Sequence, residues 1–256
     1  MSPPVVLIIA GNDPSGGAGI CADTQAVTAL GAHPAPVITA LTVQDTVDAR
    51  RVEALAAELV IAQAEAVLAD LPVRAIKLGL LASAAIGVAV AELLARHQRL
   101  PVVIDPVLVA AGGAALAEDA LVAVYLERLV PLATVLTPNA TEILRLAPAG
   151  SDPRTRAAAL LALGACFVLA KGGDAMTPAV DELLLGADGS EVAARWPRLP
   201  GRFHGSGCTL AAAIAARLAH GDAVPAAVAT AQRFTQRALA EAWALGRGQR
   251  IPARRV

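Results

Sequence analysis

Aromatic residues are scarce in this chain, with two Trp, one Tyr and three Phe among 256 residues. So few rings leave little for the stacking platforms that grip single-stranded nucleic acid. Charge of one sign is equally lacking: the formal net charge is −1, which argues against nucleic acid as the main partner. The only bunching of cations is at the C-terminus, at Arg247, Arg250, Arg254 and Arg255, and it reads as a frayed, solvated tail. Long apolar runs are missing too. The hydrophobic share is 56%, but Ala, Leu and Val supply it in short runs, none near the ~18 uncharged apolar residues of a membrane span. The start, MSPPVVLIIAG, lacks the basic opening of a signal peptide. Cys21, Cys166 and Cys208 are odd in number and far apart, with no C-x-x-C pair. That pattern suggests neither a disulfide framework nor a zinc site, and it fits a reduced cytoplasm. His33, His97, His204 and His220 show no metal-ligand spacing either, and His97 and His220 fall near expected helix ends, where capping or solvation is the default role.

What is present is an alternation. Val5–Ala10, Pro36–Val43, Ala75–Leu80, Pro101–Asp105, Thr134–Asn139 and Cys166–Gly173 read as buried strands. Amphipathic stretches lie between them; Val60, Ala64, Val67, Leu68 and Leu71 fall on one helical face. Such alternation specifies a parallel sheet with helices on both sides. Later, VDELLLG and SEVAARW flank the turn Ala187-Asp188-Gly189 as a pair of strands. Two helices, about 206–220 and 224–245, close the chain. With no linker, repeat or composition break, residues 1–256 read as one domain.

In sheets of this kind ligands collect beyond the carboxyl ends of the strands, and the polar, glycine-rich segments sit there. GNDPSGGAG follows the first strand, Gln44-Asp45 the second and GLL the third; DPVLVAAGG, TPNATE and KGGD follow the next three. The first loop is neither a Walker A sequence nor G-x-G-x-x-G. Its glycines admit a small ligand, with Asp23 facing it from one turn into the helix, or they form a tight turn with Asp23 on a solvated face. In TPNATE, Asn139 and Glu142 either hold Mg²⁺ through waters beside a phosphate or form a capping box. Asp105 ends an apolar strand, where an unpaired carboxylate is costly, so it should face a polar cleft. Lys171, before Gly172-Gly173, suits phosphate contact, unless it merely snorkels to the surface. In RFHGSGCTLAAAIAARLAHG the turn Gly205-Ser206-Gly207-Cys208 opens a helix whose buried face runs through Leu210, Ile214 and Leu218. Free N–H groups and the positive dipole end make that turn an anion site. Cys208 is then either a thiolate-prone group assisting chemistry or a small residue packed beneath the turn.

In order, AGNDPSGGAGICAD, ITALTVQDT, IKLGLL, VVIDPVLVA, TPNATE, AKGGD and HGSGCTLAAAIAA resemble segments of the hydroxymethylpyrimidine/phosphomethylpyrimidine kinase family of thiamine biosynthesis, within the ribokinase-like superfamily. The resemblance covers nearly the whole chain. It implies a three-layer α/β/α sandwich with a central, mainly parallel sheet, use of ATP and Mg²⁺, and a homodimer. It implies that Asp23 and Gln44 bind an aminopyrimidine, with Gly11 and Val107 lining its pocket. Asp105 and Glu142 are implied to serve Mg²⁺, Asn139 and Lys171 the nucleotide and its phosphates. Gly205, Ser206 and Gly207 are implied to form the anion hole, with Cys208 at the catalytic position.

Several positions depart from the family pattern. Asn12 stands where Ser is common, and Leu80 where Met is common. Ala111 replaces a frequent Lys, Asp174 a usual His, and Arg202-Phe203 the usual Asn-Thr before His204. The changes at Ala111 and Asp174 weigh against efficient catalysis of both family reactions. Two other readings therefore stand beside the first: a pyridoxal or pyridoxine kinase, and a non-catalytic pyrimidine-binding protein of the same fold.

Overall fold

VVLIIA is apolar at every position because the strand it forms is covered on both faces. In the computed structural model, which describes residues 2–108, 119–175 and 177–255, Val5, Leu7 and Ile9 enter one hydrophobic core while Val6, Ile8 and Ala10 enter another. This period-two split is what a strand buried between two helical layers requires.

The chain begins with β1 (Val5–Asn12), α1 (Gly19–Ala29), β2 (His33–Gln44), β3 (Ala49–Ala54) and α2 (Ala57–Asp70). It continues through β4 (Val73–Leu78), α3 (Ala84–Arg96), β5 (Val102–Ile104), α4 (Asp119–Val124) and β6 (Val135–Leu136). Then come α5 (Ala140–Leu146), α6 (Pro153–Ala162), β7 (Phe167–Ala170), β8 (Ala179–Gly186) and β9 (Glu191–Pro197). The last two helices are α7 (Ser206–Ala219) and α8 (Val224–Ala240). Ala111 lies outside the described residues.

The strands form one sheet in the order β3-β2-β1-β4-β5-β6-β7-β8-β9. The six from β2 to β7 across the centre are parallel, and β3, β8 and β9 add on antiparallel at the two ends. Residues of α1, α7 and α8 pack on one face, and residues of α2, α3, α5 and α6 on the other. The fold is the expected three-layer α/β/α sandwich. Because β2 and β4 flank β1, the chain order reverses at β1, and the crevice beyond the carboxyl ends of β1 and β4 is the favoured ligand site.

Three expectations need correction. The strands β4 to β7 stop earlier than their apolar runs suggest, so Leu80, Asp105, Asn139 and Lys171 lie just past the last paired residues, on the rim, whereas β1 and β2 run on to Asn12 and Gln44. The ribbon strand β3 had no apolar alternation to reveal it: ARRVEA lies at the sheet edge and is largely exposed, where charge also blocks edge-to-edge pairing. The final helix ends at Ala240, not near 245, because the chain doubles back to pair Trp243 with Ile251. The C-terminus is consequently no frayed tail; Arg254 and Gln249 are buried. Gln249 N–H donates to Thr46 O at 2.7 Å, and Arg250 pairs with Phe203 beside the glycine turn.

The helix α7 is buried on nearly every side, from Thr209 through Ala216, not only along Leu210, Ile214 and Leu218. Alanine makes this geometry available: small side chains let α7 lie close to the sheet between α1 and α8. His97 and His220 occupy the C-cap positions of α3 and α7, and His220 Nε2 lies 3.0 Å from Leu30 O.

Candidate active site

At the carboxyl end of β1 the loop is organised by a buried carboxylate, Asp13. It accepts from Ser15 N–H at 2.8 Å, Ser15 Oγ at 3.0 Å and Ala18 N–H at 2.7 Å. His204 Nε2 stands 2.9 Å from Asp13 Oδ2, which ties this loop to the glycine turn before α7. Burial opposes ionisation of Asp13, but the His204 ring beside it and hydrogen bonds from Ser15 hold its carboxyl below its ordinary pKa. Gly19 adopts φ +54°, and a Cβ there would stand 2.3 Å from Gly11 O; only glycine lets α1 begin so close to β1.

Asp23 is on no solvated face. It is fully buried in α1 and pairs with Lys77 of β4, Nζ to Oδ2 at 2.7 Å, with both side chains at 0% exposure. Burial pushes Asp23 up to about 6 in spite of the lysine. Burial also works against the Lys77 ammonium, but Asp23, Cys208 and Asp105 around it hold its pKa above the usual lysine value. Asp23 Oδ1 has no hydrogen-bond partner among the described residues, an acceptor left open.

A second pair joins the ends of β5 and β7. Lys171 Nζ meets Asp105 Oδ1 at 2.9 Å, and Thr137 Oγ1 reaches the same oxygen at 3.3 Å. Lys171 therefore does not snorkel: its side chain is 8% exposed. Burial disfavours its charge, yet Asp105 and Glu142 raise its pKa. Asn139 and Glu142 form the capping box of α5, with 2.9 Å in each direction. Glu142 is nevertheless buried, and burial with Asp105 nearby pushes its pKa up to about 8 against the pull of Lys171 and Asn139 N–H. The capping and polar-cleft readings are thus compatible.

The departure at Asp174 has a structural role. Its carboxylate accepts from Ala140 N–H at 2.9 Å, Thr141 N–H at 3.1 Å and Thr141 Oγ1 at 3.1 Å. It is a second cap on the N-terminus of α5. Arg202, whose partner sequence is the other departure, is exposed, and its carbonyl accepts from Arg250 N–H at 2.8 Å.

Both pairs converge on the start of α7. Gly205 is the N-cap in the left-handed region at φ +69°. A Cβ on Gly207 would lie 3.1 Å from Lys171 Nζ and 3.6 Å from Asp105 Oδ2. Cys208 accepts a backbone hydrogen bond from Gly19, and Lys77, Asp23 and Asp105 all act on it electrostatically. Burial, helped by Asp23 and Asp105, outweighs Lys77 and the Gly19 hydrogen bond, so the thiol is pushed up to about 11. The thiolate expected from the helix dipole is therefore not the resting form.

The remaining candidates are placed as follows. Gly11 is buried beside Leu80, whose Cδ2 would stand 3.0 Å from a Cβ at Gly11. Val107 follows Asp105 after Pro106 and donates its N–H to Asp105 O at 2.8 Å. Gln44 ends β2, half-buried, and is paired with Ala49 in the ladder. Sequence reasoning passed over Lys77, Asp13, His204 and Arg254. Only Lys77 carried a local signal, as a lone cation inside the apolar strand AIKLGL.

A family model described as phosphomethylpyrimidine kinase matches residues 13–253. A hydroxymethylpyrimidine/phosphomethylpyrimidine kinase of Streptomyces coelicolor is 43% identical over 254 residues, which covers 97% of this chain and 93% of that protein. Among solved structures, the phosphomethylpyrimidine kinase of Clostridium difficile 630 has a TM-score of 0.76 at 32% identity, covering 90% of this chain and 98% of that one. A Staphylococcus aureus pyridoxal kinase in complex with AMP-PCP and pyridoxal has a TM-score of 0.90 at 28% identity, covering 99% of this chain and 94% of that one. With its two buried lysine–carboxylate pairs meeting at the glycine turn of α7, the chain belongs to the phosphomethylpyrimidine kinase family.

Proposed function

We propose that the protein transfers the γ-phosphoryl group of ATP to 4-amino-5-hydroxymethyl-2-methylpyrimidine and then to its monophosphate, giving the pyrimidine diphosphate for thiamine biosynthesis. The observation that carries this reading is the convergence of Lys77–Asp23 and Lys171–Asp105 on one helix N-terminus at Cys208. The first pair supports the acceptor. An aminopyrimidine presents an exocyclic amine and ring nitrogens; the open Asp23 Oδ1 is a fitting acceptor for the amine, and the Gln44 amide offers a donor and an acceptor together. The second pair supports the phosphates, with Lys171 as the cation and Gly205–Cys208 as the anion hole.

Among the described residues no three His, Cys, Asp or Glu side chains cluster as a metal cage. Mg²⁺ beside a nucleotide does not require one, since one or two carboxylates with phosphate oxygens and waters suffice. Asp105 and Glu142, buried and adjacent to Lys171, fit that demand. When bound there, Mg²⁺ would neutralise charge on the phosphate oxygens.

Cys208 remains a thiol in this reading. In the loose transition state of phosphoryl transfer the alcohol need not be ionised beforehand; its proton leaves as the new P–O bond forms, to the transferred phosphoryl oxygens or to water, while the β–γ P–O bond breaks to release ADP. A phosphate acceptor already carries negative charge. A neutral Cys208 adds no repulsion to either step, whereas a carboxylate there would oppose the second. We assign the protein to the cytoplasm from its scattered, unpaired cysteines and, in keeping with the family resemblance, as a homodimer.

A coupled ADP-release assay with Mg-ATP tests the function, run separately on the hydroxymethylpyrimidine, its monophosphate and pyridoxal. Turnover on both pyrimidines above that on pyridoxal is the expected result. Faster turnover of pyridoxal would favour the B6-kinase reading, which the TM-score of 0.90 to a pyridoxal kinase makes the nearest competitor. Calorimetric pyrimidine binding without turnover would mark a non-catalytic protein.

A further inference from the structure

Against the glycine turn, at Gly205, lies a buried cation that the reading above does not use. Arg254 is 7% exposed, two residues from the C-terminus. Its Nε donates to Thr209 Oγ1 at 2.7 Å, and its Nη1 donates to Gln25 Oε1 at 3.1 Å and Gly16 O at 3.5 Å. Its Nη2 donates to Gly17 O and, at 3.4 Å, to His204 O. One planar guanidinium thus joins the loop after β1, the body of α1, the glycine turn and the first turn of α7.

We propose that Arg254 is a positioning residue for phosphoryl transfer: it holds the two glycine loops so that the amides of the turn face the transferred group. This rests on the assignment of Gly205–Cys208 as the anion hole. In a trans peptide the carbonyl and the following N–H point in opposite directions. Holding His204 O against Arg254 therefore turns Gly205 N–H away from the arginine. Thr209 extends the brace, since its Oγ1 accepts from Arg254 and donates to Gly205 O at 2.7 Å. Gly205 itself has no freedom to carry a side chain: a Cβ would come within 2.1 Å of Gly17 O and 3.0 Å of Arg254 Nη2. The loops are packed backbone to backbone, with the guanidinium as the shared partner of their carbonyls. Preorganised amides of this kind act only if they are already aimed when charge develops. A lysine cannot take the place of this arginine, because an ammonium lacks the planar fork that reaches several acceptors at once.

The test is kinetic. Arg254→Ala, Arg254→Lys and the control Arg255→Ala are compared with wild type for kcat and for KM of ATP and pyrimidine, at a temperature where melting curves show each folded. Arg255 is exposed and pairs with Glu241 at the surface, so its variant should behave as wild type. The expected result is a kcat loss of about 10²-fold in Arg254→Ala, the scale of a displaced oxyanion donor, with pyrimidine KM within about threefold. Arg254→Lys should be nearly as impaired, and added guanidinium ion should restore part of the Arg254→Ala rate. Unchanged kcat in folded Arg254→Ala overturns the proposal, as does a loss that follows the unfolded fraction and ignores guanidinium. If Arg254→Ala does not fold, Thr209→Val carries the same test, and wild-type kcat in that variant is the overturning result. Gly207→Ala separates this from the anion-hole assignment. Lost activity there with none in Arg254→Ala removes only the brace, while full activity in both removes the hole and the brace together.

Discussion

The two buried lysine–carboxylate pairs are chemically alike and structurally different. Lys77–Asp23 is sealed, with neither side chain reaching solvent, and one carboxylate oxygen is left without a partner. Lys171–Asp105 lies at the edge of the cleft, 8% and 4% exposed, with Thr137 on the same oxygen and Glu142 nearby. Ion pairing alone therefore does not assign a role. Access separates them: the pair at the rim beside a helix N-terminus is placed for phosphates, whereas the sealed pair meets a polar ring only where ligand entry uncovers the open Asp23 acceptor. The difference also separates stability from activity, because breaking a sealed pair strands a charge that water cannot reach.

The largest expected effect comes from that asymmetry. Lys77→Ala leaves Asp23 buried and uncompensated, and urea unfolding should show a loss of about 3–5 kcal/mol. Replacing both partners, as Lys77→Met with Asp23→Leu, should recover most of it while leaving the protein inactive. Lys171→Ala should invert the pattern. Its kcat on either acceptor should fall by about 10²–10³-fold, as for loss of a transition-state charge partner, with a smaller change in the urea midpoint than Lys77→Ala.

A pH dependence sharpens the comparison. Asp23, raised to about 6 by burial, loses its negative charge as pH falls through that value and becomes a weaker acceptor for the amine. The pyrimidine KM should therefore rise between pH 7 and pH 5, read from initial rates at saturating ATP. Stability moves the opposite way. A carboxyl whose folded pKa is raised contributes stability that is fully present below its ordinary value and lost as pH rises through about 6. Lys77, raised above the ordinary lysine value by its neighbours, keeps its contribution until pH passes that value. Weaker binding at pH 5 in a protein no less stable would be a signature of the sealed pair.

The smallest effect is expected at Cys208. With the thiol pushed up to about 11, Cys208→Ser should lower kcat by less than about tenfold, well short of the 10²–10⁴-fold loss of a general base. Alkylation of Cys208 by iodoacetamide at pH 8 should likewise be slower than that of a free thiol, followed by mass spectrometry of the peptide.

Much of this could be read along the chain, and the reasons for the rest are physical. The alternating elements and the rim loops were legible because apolar periodicity and glycine turns are local signals, and the ordered motifs around Asp105, Asn139, Lys171 and Gly205 carried the family. The pairing of Asp23 with Lys77 joins residues 54 apart in sequence, which no local pattern reports. Arg254 is the sharper case. A terminal run of arginines looks like a solvated tail until the fold brings Gly16, Gly17 and His204 against it. The choice between the two readings of Cys208 is open in the sequence for a related reason: the helix dipole is visible there, whereas burial is not. Asp174 departs from the family residue, yet it found work as a cap on α5.

The division of the site into an acceptor half and a phosphate half is tested most directly by crossed calorimetric titrations. ADP with Mg²⁺ and the hydroxymethylpyrimidine are each titrated into Gln44→Ala and Lys171→Ala. The account predicts that Gln44→Ala weakens pyrimidine binding and leaves the nucleotide unchanged, while Lys171→Ala does the reverse. Equal losses of both ligands in each variant, or the opposite assignment, would contradict it.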